Sequence, residues 1–206
     1  TEGRKVRTVK LTNVASFLHS AGLVADMPEM GGELVFDVAY GGNFYAIVEP
    51  QEHYRDLSEL CAADIVRLSR LLRDRINAAY SFSHPKDDRL SHMRHVMWTG
   101  TPERDGSDGR NAVFYGDSAI DRSPCGTGTS ARMAQLAARG ELGAGDTFLH
   151  ESYIGSRFRG RVEKLARVGD YPAIVPCIEG WARVYGHNAI TVDPEDDPFW
   201  DGFIVT

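Results

Sequence analysis

The run Leu34-Val35-Phe36-Asp37-Val38-Ala39-Tyr40-Gly41-Gly42-Asn43-Phe44-Tyr45-Ala46-Ile47-Val48 carries the clearest structural signal in the chain. Leu34, Phe36, Val38 and Tyr40 alternate with their neighbours, and Phe44, Ala46 and Val48 resume the alternation after Gly41-Gly42. Strand side chains point to opposite faces in turn, and a Gly-Gly pair accepts the backbone angles of a tight turn. The run therefore predicts a β-hairpin. Upstream, Val6 to Thr12 is β-rich with an imperfect alternation. Downstream the period changes. Leu57, Leu60, Cys61, Ile65, Leu68, Leu71, Leu72, Ile76 and Ala79 recur mostly at spacings of three and four. That predicts a long helix with Cys61 packed on its apolar stripe. Asp56 followed by Glu59 resembles a capping box and is expected to start it.

Further along, Ser81 to Arg89 is polar, contains Pro85 and reads as a loop. His95 to Trp98 and Ala112 to Tyr115 read as short strands on either side of the polar stretch Thr101 to Arg110. A second helix is expected from about Thr129 to Leu142, and strands at Thr147–His150, Arg161–Val168, Ala173–Ile178, Ala182–Tyr185 and Ala189–Val192. A β-rich start, a helix, strands, a second helix and a closing run of strands suit an α+β fold.

With 206 residues, 42% hydrophobic and 25% charged, the chain has the make-up of a soluble protein with a real core, as one large domain or two small ones. No apolar run approaches the ~18 residues of a membrane span, and Thr1 to Lys10 does not read as a signal peptide. A cytoplasmic protein without a membrane partner is expected. Lys and Arg number 23 against 29 Asp and Glu, a net charge of -6 with no basic block, so no nucleic-acid partner is expected. Cys61, Cys125 and Cys177 form no CxxC pair, which points to neither a zinc site nor a disulfide framework.

One stretch stands apart chemically: Asp121-Arg122-Ser123-Pro124-Cys125-Gly126-Thr127-Gly128-Thr129-Ser130, leading into the second helix. It reads as a loop of small residues with a cysteine at a helix N-terminus, where unpaired backbone N–H groups favour an anion. Such a position can lower a thiol from its usual pKa of about 8.5. Gly126 and Gly128 let the main chain approach a ligand, and Asp121 could bind an ammonium group. On the residues alone, a glycine-rich turn around a structural cysteine fits equally well.

Asp121 to Ala131 resembles the second catalytic-cysteine motif of the proline racemase and 4-hydroxyproline epimerase family. Asp37-Val38-Ala39-Tyr40-Gly41-Gly42-Asn43-Phe44, Glu151-Ser152-Tyr153-Ile154-Gly155-Ser156, and Asp197-Pro198-Phe199 with Gly202-Phe203 resemble further family motifs, in the family's order. The resemblance implies inversion at Cα of an imino acid without metal, pyridoxal phosphate or other cofactor. One cysteine removes the α-proton as thiolate while another, across the ring, delivers a proton as thiol. Cys125 matches the second of these. Asp121 matches the residue that holds the substrate ammonium, and the amides of Gly126 and Thr127 would hold its carboxylate. His95 resembles a pocket histidine of the epimerases placed to meet a 4-hydroxyl group, and Tyr115 is a second candidate for the pocket wall. The implied reaction is conversion of trans-4-hydroxy-L-proline to cis-4-hydroxy-D-proline, with proline racemase as the alternative. Family dehydratases typically carry threonine at the second cysteine, which Cys125 argues against.

The family's first cysteine lies in a Cys-Gly-His triplet that is absent here, and neither Cys61 nor Cys177 matches it. These residues therefore resemble the later two thirds of a longer protein. The implied fold is diaminopimelate epimerase-like, a curled, mostly antiparallel sheet around a central helix. Residues 1–177 would form the second of two similar domains, and 178–206 would return to the N-terminal domain. Alone, the chain would be an inactive half-site that at most binds imino acids, and exposed Ile190, Phe199, Trp200 and Phe203 would mark the surface it lacks cover for. A homodimer is left open. From another class, a hydrolase would use Cys125 as nucleophile with His150 or His95 as base.

Overall fold

The Gly-Gly run forms the expected hairpin: β3 (Gly32–Tyr40) and β4 (Phe44–Val48) pair antiparallel with Tyr40 opposite Phe44. The computed structural model describes residue 3, residues 5–184 and residues 186–202, with the backbone alone at Lys5 and Arg183. Before the hairpin come β1 (Lys5–Thr12) and β2 (Ser16–Met27). After it come α1 (Ala62–Ala79), β5 (Ser83–His84), β6 (Asp87–Ser91), β7 (His95–Gly100), β8 (Gly109–Tyr115) and β9 (Ala119–Ile120). The chain continues through α2 (Gly126–Ala138), β10 (Thr147–Ser152), β11 (Arg157–Val168) and β12 (Tyr171–Arg183).

An α+β architecture results, but the expected curled antiparallel sheet is corrected to a mixed, closed one. The strands follow the order β12-β11-β10-β8-β7-β4-β3-β2, and β12 then pairs with β2 through Ala173 opposite Phe17 and Ile174 opposite Ser16. β4 with β7 and β8 with β10 are parallel pairs. Parallel neighbours need a crossover rather than a hairpin, and each helix supplies one: α1 joins β4 to β7, and α2 joins β8 to β10. β1 extends the sheet along the far part of β12, and β5 with β6 forms a separate small hairpin.

The helices take opposite faces of this sheet. Val38, Ala46, Val48, Val96, Trp98 and Phe114 share one buried cluster with Ile65, Leu68, Leu72 and Ile76 of α1. Their neighbours Ala39, Tyr45, Ile47, Met97 and Val113 share another with Ala131 of α2. Because α2 touches β2, β3, β4, β11 and β12 around the ring, it lies inside and α1 outside. Each of the four buried aliphatic side chains of α1 contributes about 1.5–3 kcal/mol by leaving water. Among the described residues no helix is long and apolar enough to cross a membrane.

Local boundaries differ from the sequence reading for identifiable reasons. Asp56 accepts a hydrogen bond from Ser58 N–H, but it caps a 3-10 turn over Leu57–Glu59, and the extended Leu60 separates that turn from α1. Cys61 is consequently an exposed N-cap with its thiol on Asp64, not a core thiol. α2 begins at Gly126, so Gly126-Thr127-Gly128 is the first helical turn rather than a loop. Burial of Gly128, Thr129 and Ser130 outweighs the poor helix propensity of glycine. β2 was not foreseen, the 81–89 loop contains strands, and β12 runs unbroken through 178. Residues 189–192 form no strand. Tyr185 and Phe203 lie outside the described residues.

Candidate active site

Cys125 caps the N-terminus of α2 with φ 63° and ψ 119°, its carbonyl accepting the first helical bond from Thr129 N–H at 2.7 Å. Its sulfur lies 3.4 Å from Gly128 N, 3.3 Å from Tyr45 Oη and 3.7 Å from Thr127 Oγ1. Tyr45 Oη and Thr127 Oγ1 are themselves 2.6 Å apart. At Gly128 a β-carbon would stand 3.0 Å from the Cys125 Cβ and 3.2 Å from Sγ, so any larger residue would crowd the sulfur.

The segment before the cysteine is wound tight. Asp121 Oδ1 accepts from both the N–H and the hydroxyl of Ser123 at 2.9 Å, and Ser123 Oγ accepts from Cys125 N–H at 3.1 Å. Asn111 and Thr129 donate to the Pro124 carbonyl from below. Ser152 and Ser156 donate to the Arg122 carbonyl at 2.9 and 2.7 Å. The stretch Glu151 to Ser156 thus braces the cysteine segment. The hairpin braces it from the other side. A β-carbon at Gly41 would fall 2.1 Å from the Thr127 carbonyl oxygen and 2.6 Å from Ala131 N, so the turn seats directly on α2. At the other end of α2, Asp37 accepts from Gln135 and Arg139 at 2.7 and 2.6 Å, and Glu49 pairs with Arg132 and Arg139. Three stretches distant in sequence converge on one helix. The fourth, at Asp197-Pro198-Phe199, makes no bond to α2 among the described residues: Phe199 is exposed, and Asp197 accepts from Phe199 N–H at 2.9 Å within its own turn.

A groove of about 510 Å³ opens beside the helix start. Asn13, Ser123, Gly126 and Thr127 line its polar end, and Leu11, Phe158 and Trp181 its apolar end. A β-carbon at Gly126 would meet nothing within 4 Å, so this flank of the helix is open. Cys125 is half-buried and is not among the residues of the groove wall, although its neighbours Gly126 and Thr127 are. Asp121 is half-buried and also absent from the wall. His95 lies on β7 opposite Tyr45 of β4, with ring centroids 5.0 Å apart at 22°. Among the described residues its Nδ1 is buried without a partner. Tyr115 does not join this group: it ends β8 opposite Ala119 and is largely exposed.

Burial pushes the Cys125 thiol up from its ordinary value, which corrects the expected lowering by the helix N-terminus. The Tyr45 hydroxyl, Gly128 N–H and Thr127 hydroxyl oppose that rise, and the charge of Asp121 adds to it. Burial also holds His95 below the usual imidazole range. His150 is fully enclosed and held down to about 3, with Nδ1 3.0 Å from Thr129 Oγ1. Among the described residues no histidine bonds the sulfur, and no cluster of His, Cys, Asp and Glu could hold a metal ion. The sequence reading missed Tyr45 and Asn13. The signal for Tyr45 was its place on the second face of the hairpin. Asn13, which donates to Gly41 O and Ser130 Oγ at 2.9 and 2.8 Å, carried none.

The Proline racemase family profile matches residues 1–204. The chain is 56% identical over 204 residues to the 4-hydroxyproline 2-epimerase of Paracoccus denitrificans (strain Pd 1222), a match covering 99% of this chain and 61% of that protein. Identity to the 4-hydroxyproline 2-epimerase of Ancylobacter novellus is 55% over the same shares. The chain therefore spans about three fifths of the length of these curated relatives. Among solved structures, a hydroxyproline epimerase from Agrobacterium vitis with bound trans-4-OH-L-proline superposes with a TM-score of 0.81 at 35% identity, covering 97% of this chain and 56% of that one. A probable proline racemase from Agrobacterium radiobacter K84 with bound carbonate gives 0.81 at 34% identity, covering 97% and 57%. With a family match along almost the whole sequence and curated relatives at 55–56% identity, the chain belongs to the proline racemase family.

Proposed function

We propose that the chain is part of a cofactor-independent epimerase acting at Cα of an imino acid, 4-hydroxyproline, with Cys125 as one of two acid–base sulfurs. In one direction the Cys125 thiolate takes the α-proton, leaving a carbanion, and a thiol on the opposite face returns a proton. In the other direction the roles exchange. Gly126 and Thr127 line the groove in the first turn of α2, and their amides would hold the substrate carboxylate while negative charge builds at Cα. Asp121 would hold the ring ammonium through the carboxylate oxygen that Ser123 does not use.

The observation that carries this reading is a cysteine sulfur at a helix start with a hydroxyl and an amide beside it and no histidine bonded to it. A hydrolase would need that histidine in reach, oriented by a third group. His150 is spent on Thr129, and His95 stacks on Tyr45. The bound hydroxyproline in the Agrobacterium vitis structure and the names of the curated relatives support the choice of substrate. The equal likeness to a probable proline racemase keeps proline racemisation as the second reading.

The partner of this half-site is a preceding domain that carries the first cysteine, in a diaminopimelate epimerase-like pair. Ile190, Phe199 and Trp200, all exposed beyond β12, would pack against it. The test is turnover of trans-4-hydroxy-L-proline and L-proline by protein with both cysteines, with and without His95→Ala. The expected result is a greater loss on the hydroxylated substrate. Equal losses would remove His95 from hydroxyl recognition and return proline racemisation to the front. The 206-residue chain alone is expected to bind pyrrole-2-carboxylate weakly and to invert neither substrate.

A further inference from the structure

Three atoms make a closed triangle at the start of α2: Tyr45 Oη, Thr127 Oγ1 and Cys125 Sγ, with sides of 2.6, 3.3 and 3.7 Å. From this geometry we propose that Tyr45 is a positioning residue for Cys125. With Thr127 it forms a hydroxyl pair that reverses its hydrogen-bond direction as the sulfur gains or loses a proton. The proposal rests on the acid–base reading of Cys125 given above.

A hydroxyl both donates and accepts. Beside a thiolate, Tyr45 O–H donates to sulfur, Thr127 O–H donates to Tyr45 Oη, and Gly128 N–H supplies a second donor to sulfur. Beside a thiol, S–H donates to Tyr45 Oη and Tyr45 O–H turns to Thr127 Oγ1. The sulfur and the Tyr45 hydroxyl stay hydrogen-bonded in both states, which matters because an unmet polar group at a buried site is costly. A lysine or arginine there could only donate and would fix the thiolate; a carboxylate could only accept and would fix the thiol. A sulfur that is base for one stereoisomer and acid for the other needs neither bias.

The surroundings keep the pair neutral and in place. Tyr45 is 1% exposed, and its ring lies against His95 on the neighbouring strand. Burial and the adjacent sulfur drive its ionisation far above the ordinary tyrosine range, so it keeps its proton throughout and the substrate's proton stays on sulfur. The groups facing the sulfur are Tyr45 from β4, Thr127 and Gly128 from α2, and the charge of Asp121 from the preceding segment. From β7, His95 stands behind Tyr45.

The test is the pH dependence of Cys125 alkylation by iodoacetamide in the 206-residue chain, read by peptide mass spectrometry so that Cys61 and Cys177 are scored separately. Tyr45→Phe keeps the ring and removes the hydroxyl. Its midpoint is expected to rise by about one pH unit, making alkylation about tenfold slower near pH 7.5. Tyr40→Phe, on the opposite sheet face, is expected to leave the midpoint in place. An unchanged midpoint in folded Tyr45→Phe overturns the proposal. Should circular dichroism show Tyr45→Phe unfolded, Thr127→Val and Thr127→Ser decide. The valine is expected to raise the midpoint and the serine to restore it; equal midpoints overturn the hydroxyl pair. Turnover by protein with both cysteines separates the two readings. A shifted midpoint without isomerisation upholds the pair and sinks the epimerase, whereas isomerisation without a shift does the reverse.

Discussion

Cys61 and Cys125 each cap the N-terminus of a helix, and only one of them has the makings of a site. Cys61 has an ordinary extended backbone, is exposed, and directs its thiol to Asp64 at 3.1 Å within its own turn. Ala62 and Ala63 beside it are exposed as well. Cys125 has a positive φ and is half-buried, and its sulfur meets a hydroxyl delivered from β4, eighty residues away in sequence. The helix-end amides are common to both. What differs is the number of distant elements that reach the sulfur or hold its loop: β4, β8, the hairpin turn, and the end of β10 with the turn after it for Cys125, against a single bond from Tyr153 to the Leu60 carbonyl for Cys61. A helix N-terminus supplies donors, but tertiary structure decides whether a thiol there has chemistry.

The sharpest contrast is in turnover. In protein with both family cysteines, Cys125→Ser is expected to lose at least ~10²–10⁴-fold in isomerisation, the range for an acid–base group, while Cys61→Ser stays within about twofold. Comparable losses in the two would break the contrast. Next in size is the seat of α2. Gly41→Ala drives a methyl into the Thr127 carbonyl and is expected to destabilise by about 3 kcal/mol in urea unfolding.

Acid should act on the same region. Below about pH 6.5 the unfolded chain takes up a proton that the enclosed His150, held at about 3, refuses. Stability from this group is therefore complete above the unfolded value and lost as pH falls from about 6.5 towards 3, at up to about 1.4 kcal/mol per pH unit. His150→Gln should flatten that limb of the stability profile; an unaltered slope would place the titration elsewhere. For Cys125 the sign is opposite. Its raised thiol value means that stability holds below the ordinary thiol range and declines as pH climbs past it, a decline that Cys125→Ser should remove. The smallest effect is at α1, where Cys61→Ala should change stability by about 0.5 kcal/mol or less, since only an exposed bond to Asp64 goes.

The hairpin at 34–48 was legible because period-two alternation and a glycine pair agree, and both signals are local. β2 was not legible, since its register shifts between Leu18 and Ser20 and again before Leu23 break the alternation that marks a strand. Cys61 fell off the predicted stripe because Leu60 is extended and delays the helix. Tyr45 was overlooked for a subtler reason. In a one-sided sheet, the residues between Phe44, Ala46 and Val48 would face solvent. Here helices cover both faces, so every residue of β4 is buried and the second face carries the sulfur's partner. Cys125, Gly126 and Thr127 were found from small residues and from family likeness. Their dependence on Asn111, Ser152 and Ser156 is long-range and leaves no periodic trace.

The positive φ of Cys125 has an outcome for the chain's history as well as its chemistry. A side chain in that conformation holds tension of about 1–3 kcal/mol, which glycine would release. Replacement by glycine should consequently leave a sturdier fold than replacement by alanine, even though both discard the thiol. Laboratory selection for thermal endurance alone would drift towards glycine at this position, and only demand for turnover would hold the sulfur there.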